Sequence, residues 1–271
     1  MTQLLIHSMA EFAPSIIQPC LDRAGVADIT EIGAEFGGMS TILADHCARA
    51  GGTLTSVDPT PKREFLDWVD QHEAVHHVAE PSLEALEHLG PADAWFVDGD
   101  HNYYTVYHEM KAIDAICRRE DKPLLAFLHD ISWPCARRDC YYAPDRIPEE
   151  HRHPFSYDAG VHVDDNAIRM NRGWRGMGQF AWALKEGGPK NGVLTAVEDF
   201  LAEADSDERP LVFAHVPAVF GLGVVFDAGA EWAEELAGIL LPWHQNELIA
   251  KLEVNRLRNY LAVIDWQDRQ A

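Results

Sequence analysis

Asp98, Asp100, His101, His129 and Asp130 are residues whose types and spacing could do chemistry together. The first three follow the apolar run Ala94-Trp95-Phe96-Val97, and the last two close the run Leu124-Leu125-Ala126-Phe127-Leu128. Carboxylates and an imidazole can hold Mg²⁺ or a transition metal, which fixes oxygens of a bound acceptor and lowers its pKa. Asp98, His129 and Asp130 are the candidate ligands for such an ion. Without a metal, His101 or His129 could take a proton directly, because an unperturbed imidazole titrates near neutrality. His101, His129 and Asp130 are therefore the candidate catalytic groups. The plain alternative for either histidine is a hydrogen-bonded structural role, and Asp100 could simply cap a helix starting near Tyr103.

A second group lies earlier, in Thr30-Glu31-Ile32-Gly33-Ala34-Glu35-Phe36-Gly37-Gly38-Met39-Ser40-Thr41. An apolar strand ends there and a glycine-bearing turn opens a helix, which brings backbone N–H groups close to a ligand. The glycine spacing is not G-x-G-x-x-G, and Glu31 and Glu35 would repel a pyrophosphate. They suit a ligand with an amine or sulfonium centre and free hydroxyls. About twenty residues on, Leu54-Thr55-Ser56-Val57 ends in Asp58, where nucleoside-binding α/β domains place a ribose-binding acid. A helix cap is the rival role for Asp58, and a ligand-free tight turn the rival for Gly33 and Gly37.

Together these segments resemble the class I S-adenosylmethionine-dependent methyltransferases, in the small-molecule branch with an Asp-Gly-Asp-His-x-Tyr motif after the fourth strand. The resemblance covers about residues 28–132 and rests on four motifs in order. It implies a cofactor site built from Glu31, Gly33, Glu35, Phe36, Gly37, Ser40, Asp58, Ser82 and Asp98. Ser82 matches the position of an adenine contact, although Glu80-Pro81 precedes it in place of the more usual Gly-Asp. Metal-dependent O-methyltransferases place one acid after strand four and two acidic or amide groups after strand five. Asp98 and Asp130 match two of those positions; His129 or Ile131 stands at the third.

The elements that must position these residues form a strand–helix alternation from 28 to 132. Its strands are continuous apolar runs, as in strands buried on both faces. The expected fold is α/β, a doubly wound and mostly parallel sheet, with ligands outside the carboxyl ends of its strands. Leu211–Val216 and Leu222–Phe226 are expected to end the sheet as an antiparallel hairpin, after a helix over 193–204. Residues 1–27 are expected to form a helical cap broken by Pro14 and Pro19. Residues 231–270 are expected to be mostly helical, with a break at Pro242. There the stripe Leu248, Leu252, Leu257 and Leu261 would pack on the sheet or on a second subunit. The Pro-, Arg- and Gly-rich stretch 133–192 is a long insertion after strand five, read as a lid over a substrate pocket, with a dimer arm as the alternative. Tyr141, Tyr142 and Trp174 could line an aromatic pocket there, and His151 and His153 could touch substrate. His72, His76, His77 and His88 read as solvated.

The chain has 271 residues, enough for one methyltransferase domain with an insertion. Its formal net charge of −22 argues against a nucleic-acid partner, because phosphate binding needs a basic surface. Arg137, Arg138, Arg169, Arg172 and Arg175 could still bind an anionic group on a small substrate. No apolar run reaches about eighteen residues, so no membrane span is expected. No export signal is visible, and five cysteines without a C-x-x-C pair read as reduced thiols of a cytoplasmic protein. The resulting expectation is methyl transfer from S-adenosylmethionine to a small molecule, at oxygen first and at nitrogen as the alternative. A cofactor-binding scaffold without turnover and a nicotinamide-dependent oxidoreductase are the rivals from other classes.

Overall fold

The computed structural model describes residues 5–206 and 209–270. Residues 1–4 of the expected N-terminal cap lie outside that range. Five strands, β1 (Ile29–Ile32), β2 (Leu54–Val57), β3 (Val75–Val78), β4 (Ala94–Val97) and β5 (Leu125–His129), are parallel. The insertion carries β6 (Cys140–Tyr141), β7 (Phe155–Ser156), β8 (Ala159–Gly160), β9 (Arg169–Met170) and β10 (Ala181–Ala183). The hairpin β11 (Leu211–Val216) and β12 (Leu222–Asp227) completes the main sheet, in the order β11-β12-β5-β4-β1-β2-β3. β12 is antiparallel to both β5 and β11. The sheet is thus doubly wound with a C-terminal antiparallel hairpin, the expected fold. The strand order reverses between β1 and β4, where open α/β sheets leave a ligand crevice.

Among the described residues, eight α-helices flank these strands: α1 (Gln18–Ala24), α2 (Gly38–Ala50), α3 (Arg63–Val69), α4 (Ser82–Ala85), α5 (Tyr103–Arg119), α6 (Val193–Ser206), α7 (Ala233–Leu240) and α8 (Glu247–Asp268). Strand residues alternate between two apolar layers. Trp95, Val97, Ala126 and Leu128 pack with Met110 and Ile113 of α5 and Val197 of α6. Ala94, Phe96, Leu125 and Phe127 pack with Ile16, Leu21, Leu43 and Leu236 on the other face. The Phe96 and Phe127 rings stack at 4.8 Å within that layer.

Four expectations need correction. Pro14 and Pro19 do not break the N-terminal segment; it winds on from a 3₁₀ turn (Met9–Phe12) through a π turn (Ala13–Ile17) into α1. Each proline sits near the start of its own turn, where its missing N–H is not needed. The leucine stripe of α8 is also not one face. Leu257 and Leu261 are buried, whereas Leu248 and Leu252 are 66% and 61% exposed. Five residues separate Leu252 from Leu257, a rotation of roughly 140° at 3.6 residues per turn.

The third concerns 133–192, read as an insertion without strands of its own, which carries paired strands. β10 pairs with β6 and β7, and β8 pairs with β9. Buried Asp139 ties its root: its carboxylate accepts from Tyr103 N (2.7 Å), Gly192 N (2.7 Å) and the Tyr141 hydroxyl (2.7 Å). Its own N–H donates to Asn191 Oδ1 at 2.8 Å. The fourth concerns the arginines, which are engaged internally. Arg137 pairs with Glu198, Arg169 with Asp165, Arg172 with Asp265 and Arg175 with Asp268. The buried Arg138 guanidinium donates to the Ala183 and Asn166 carbonyls.

Candidate active site

β1 delivers Glu31 to the crevice, but beneath its surface. The side chain is buried, and Oε2 accepts from the Ser40 and Ser56 hydroxyls at 2.7 Å each. Burial pushes its carboxyl up to about 7 against those two hydrogen bonds. Oε1 is buried with no protein partner. Glu31 thus braces Ser40 of α2 and Ser56 of β2.

Gly33 has φ +93°, and a Cβ there would overlap the Asp98 carbonyl. Only glycine lets the ends of β1 and β4 approach this closely. Asp98 N donates to Ile32 O at 2.9 Å in the same place. Glu35 (φ 45°) and Gly37 (φ +82°) turn the chain into α2, leaving the Phe36 ring 53% exposed beside Lys62. Asp58 holds this turn from β2. Its Oδ2 accepts from Ala34 N and Glu35 N at 3.0 Å each, and Oδ1 from Thr60 N at 2.8 Å. It does not cap α3, which begins at Arg63. His77, expected to be solvated, sits on β3, where Nε2 donates to Asp58 O at 2.8 Å. Ser82 opens α4 and stands beside Glu109, whose carboxyl burial pushes up to about 8.

The carboxyl ends of β4 and β5 bring Asp98, His101, His129 and Asp130 together. His129 Nδ1 lies 3.3 Å from Asp98 Oδ1 and 3.1 Å from Asp130 Oδ2. His101 Nε2 lies 3.3 Å and 3.4 Å from the same two oxygens. Asp130 is held at φ 58°, a left-handed backbone uncommon outside glycine. His129 Nε2 donates to Val219 O at 2.8 Å. With that nitrogen committed as a donor, Nδ1 of a neutral ring presents a lone pair to two carboxylates. A cation must stand between them, either the second ring proton or a metal ion.

Charge settles on the quartet accordingly. Burial alone would lower the His129 pKa, but Asp98 and Asp130 outweigh it and raise it to about 10. The same carboxylates outweigh burial at His101 and raise it well above its ordinary value. Burial would raise Asp98 and Asp130, yet the imidazoles hold both below the ordinary carboxylate range. His129 has 2% of its side chain exposed, with its ring nitrogens facing Val219 O and the two carboxylates. His101, at 14%, borders the surface under the Tyr142 ring, 5.5 Å between centroids. Asp100 does not cap α5; Asn102 does, accepting from Thr105 N at 2.9 Å.

The aromatic residues of the insertion disperse instead of forming one pocket. Tyr141 is buried on Asp139, Tyr142 is exposed over His101, and Trp174 packs with Trp133, Phe220 and Tyr260. His151 stacks on Tyr104, and His153 Nε2 donates to Lys190 O. Sequence reasoning missed Asp139, Asn191 and Ser56. Ser56 lies two residues before Asp58, and strand alternation places it on the face of a parallel strand beside Glu31.

A family model described as a methyltransferase domain matches residues 30–130. The match ends on Asp130 and takes in the glycine turn, Asp58, Asp98, His101 and His129. No curated protein matches the sequence. Among solved structures, the chain is similar to an O-methyltransferase from Bacillus cereus in complex with S-adenosylhomocysteine. Identity is 12%, covering 83% of this chain and 84% of that one, with a TM-score of 0.46. It is similar to an S-adenosylhomocysteine-bound methyltransferase of Podospora anserina at 16% identity, covering 77% and 74%, with a TM-score of 0.43. A Pyrococcus horikoshii protein shares 11% identity over 82% and 92%, with a TM-score of 0.45.

Proposed function

We propose that this protein transfers the methyl group of S-adenosylmethionine to a hydroxyl oxygen of a small molecule. One observation carries the reading: Asp98 belongs to both halves of the site. Its backbone meets Gly33 in the glycine turn, and its carboxylate meets His101 and His129. A donor methyl held over the turn is thereby next to groups that can govern an acceptor proton, as an in-line displacement requires.

The orphaned Glu31 Oε1 and the turn's exposed Phe36 fit a cofactor that brings its own cation and a flat apolar ring. Asp58 retains acceptor lone pairs for ribose hydroxyls while bracing the turn. Ser82 borders the adenine side. A divalent ion fits the lone pair of His129 Nδ1, and Asp98, His129 and Asp130 would hold it. Such an ion supplies Lewis acidity that lowers the pKa of an acceptor hydroxyl. His101 is the group placed to receive the acceptor proton. Once the carboxylates pair with a cation other than its own imidazolium, its pKa returns toward 6.5, where it can do so.

Calorimetric titration with S-adenosylhomocysteine tests the donor half, run with and without chelator and added Mg²⁺, Mn²⁺ or Zn²⁺. Micromolar binding is expected. An absence of binding under every condition, with NAD bound instead, would sink the reading. Transfer of an isotope-labelled methyl to a panel of hydroxyl and amine acceptors tests the other half; label on nitrogen alone would replace the O-methyl assignment. Binding without turnover on any acceptor would favour a scaffold.

A further inference from the structure

His101 faces a second set of donors. Among the described residues, one ligand atom each from His101, Cys135 and Cys140 lies within 4.8 Å of the others. Both cysteines are buried, free and paired with each other's thiol. They come from the root of the insertion, whereas His101 follows β4. We propose that His101, Cys135 and Cys140 bind a zinc-class divalent ion, with the Asp130 carboxylate as fourth ligand; this site shares Asp130 with Asp98–His129–Asp130, and its occupancy is an alternative to the state in which His101 receives an acceptor proton.

The donor set selects the metal. Two thiolates with an imidazole suit a borderline-soft ion such as Zn²⁺ and are poor ligands for Mg²⁺ or Ca²⁺. Donors at zinc bond lengths stand roughly 3.3–3.8 Å apart around a tetrahedron, so the three atoms need only small side-chain rotations to close. Asp130 is already in place: its Oδ2 lies 3.4 Å from His101 Nε2, and the carboxylate pairs with the Cys135 thiol.

The backbone under these donors is fixed without the ion. Cys140 N donates to His101 O at 3.0 Å, an isolated antiparallel bridge that sets two ligands in register. Cys135 O accepts from Val193 N at 2.9 Å, and Ala136 N donates to Ser132 O at 2.8 Å. A Cβ on Gly192 would run into the Ala136 carbonyl, so the chain packs tightly on both sides of Cys135. Binding would release the two thiol protons to solvent and tie the end of β4, the turn after β5 and the insertion root through one ion. That ion would be held whether or not the protein transfers methyl groups.

Cobalt substitution reads this directly. The reduced full-length protein, stripped by chelator and titrated with Co²⁺ without cofactor, is expected to show intense thiolate-to-cobalt charge transfer and tetrahedral d–d bands, saturating at one thiolate-bound ion per chain. Zn²⁺ should displace it. Cys135→Ser and Cys140→Ser should each lower cobalt affinity by more than about tenfold, while Asp98→Asn keeps the charge-transfer band. Cobalt bound without a thiolate band would place the ion at Asp98–His129–Asp130 and overturn the proposal. So would a Cys135–Cys140 disulfide as the resting state, found by mass spectrometry of protein purified without reductant.

Discussion

Gly33 and Asp58 show how little freedom single residues have at the crevice. Gly33→Ala places a methyl against the Asp98 carbonyl at a positive φ, and the neighbour is backbone of a central strand. The expected loss of stability is more than about 2 kcal/mol, read by denaturant unfolding, together with loss of S-adenosylhomocysteine binding. A variant as stable as the parent would mean that the ends of β1 and β4 leave room for a side chain. Asp58→Ala removes the acceptor for three backbone N–H groups. It is expected to lower stability by about 1–3 kcal/mol and to weaken cofactor binding at least tenfold. Asp58→Asn keeps one oxygen and should recover part of the stability but less of the affinity. Equal recovery of both would make Asp58 a brace alone.

At the same scale, chemistry-bearing residues after buried strands were legible in the sequence, because a parallel strand buried on both faces leaves a continuous apolar run. Asp98, His101, His129 and Asp130 could be read off where those runs stop. Their protonation could not, since it depends on the 3 Å spacing of groups from two strands and on Val219 O, which arrives from the distant hairpin. The nearness of Cys135 and Cys140 to His101 was equally hidden: more than thirty residues separate them, and no zinc-like spacing announces it.

Among the elements, the insertion departs most from its sequence reading. Strands of two residues carry no periodicity, and their pairing partners lie far along the chain. What organises them is Asp139, buried and multiply bonded. Asp139→Ala leaves three donors without an acceptor and is expected to cost about 3 kcal/mol or more. Limited proteolysis should then cut within 143–190 while the sheet persists by far-ultraviolet circular dichroism. Loss of the whole fold in one step would show that insertion and sheet do not unfold separately. The arginines follow the same logic. Read as anion ligands, they are instead paired with acids of α6, α8 and the insertion, in a chain whose carboxylates outnumber its Lys and Arg side chains two to one.

For the whole molecule, buried carboxyls set the response to pH. Glu109 is fully buried beside Ser82, and burial raises it from an ordinary 4.5 to about 8. The folded state keeps this proton where the unfolded chain has lost it. Stability therefore falls as pH rises from about 4.5 toward 8, by about 1.4 kcal/mol per pH unit for this one proton, and the loss persists above it. Glu31 acts in the same direction up to about 7. His129, raised above 6.5, gives stability that is complete below that pH and lost through about 10. Glu109→Gln should make the fall between 4.5 and 8 shallower by one proton's worth, measured by urea unfolding at stepped pH. An unchanged slope would mean that Glu109 stays ionised in the folded protein. No helix among the described residues is long and apolar enough to cross a membrane.

The meeting of Asp139 with Asn191 and Gly192 has a further meaning for how such a protein can change. The insertion leaves and re-enters the body through one doorway, closed by a handful of hydrogen bonds. A segment whose two ends touch is a cassette: a short turn could bridge the doorway, or a different segment could be grafted into it, while the strand order stays as it is. Tyr142, which overhangs His101, travels with that cassette, whereas Gly33 and Asp58 do not. Under the proposed function, an exchange of the cassette would change what stands over His101 while leaving the glycine turn as it is.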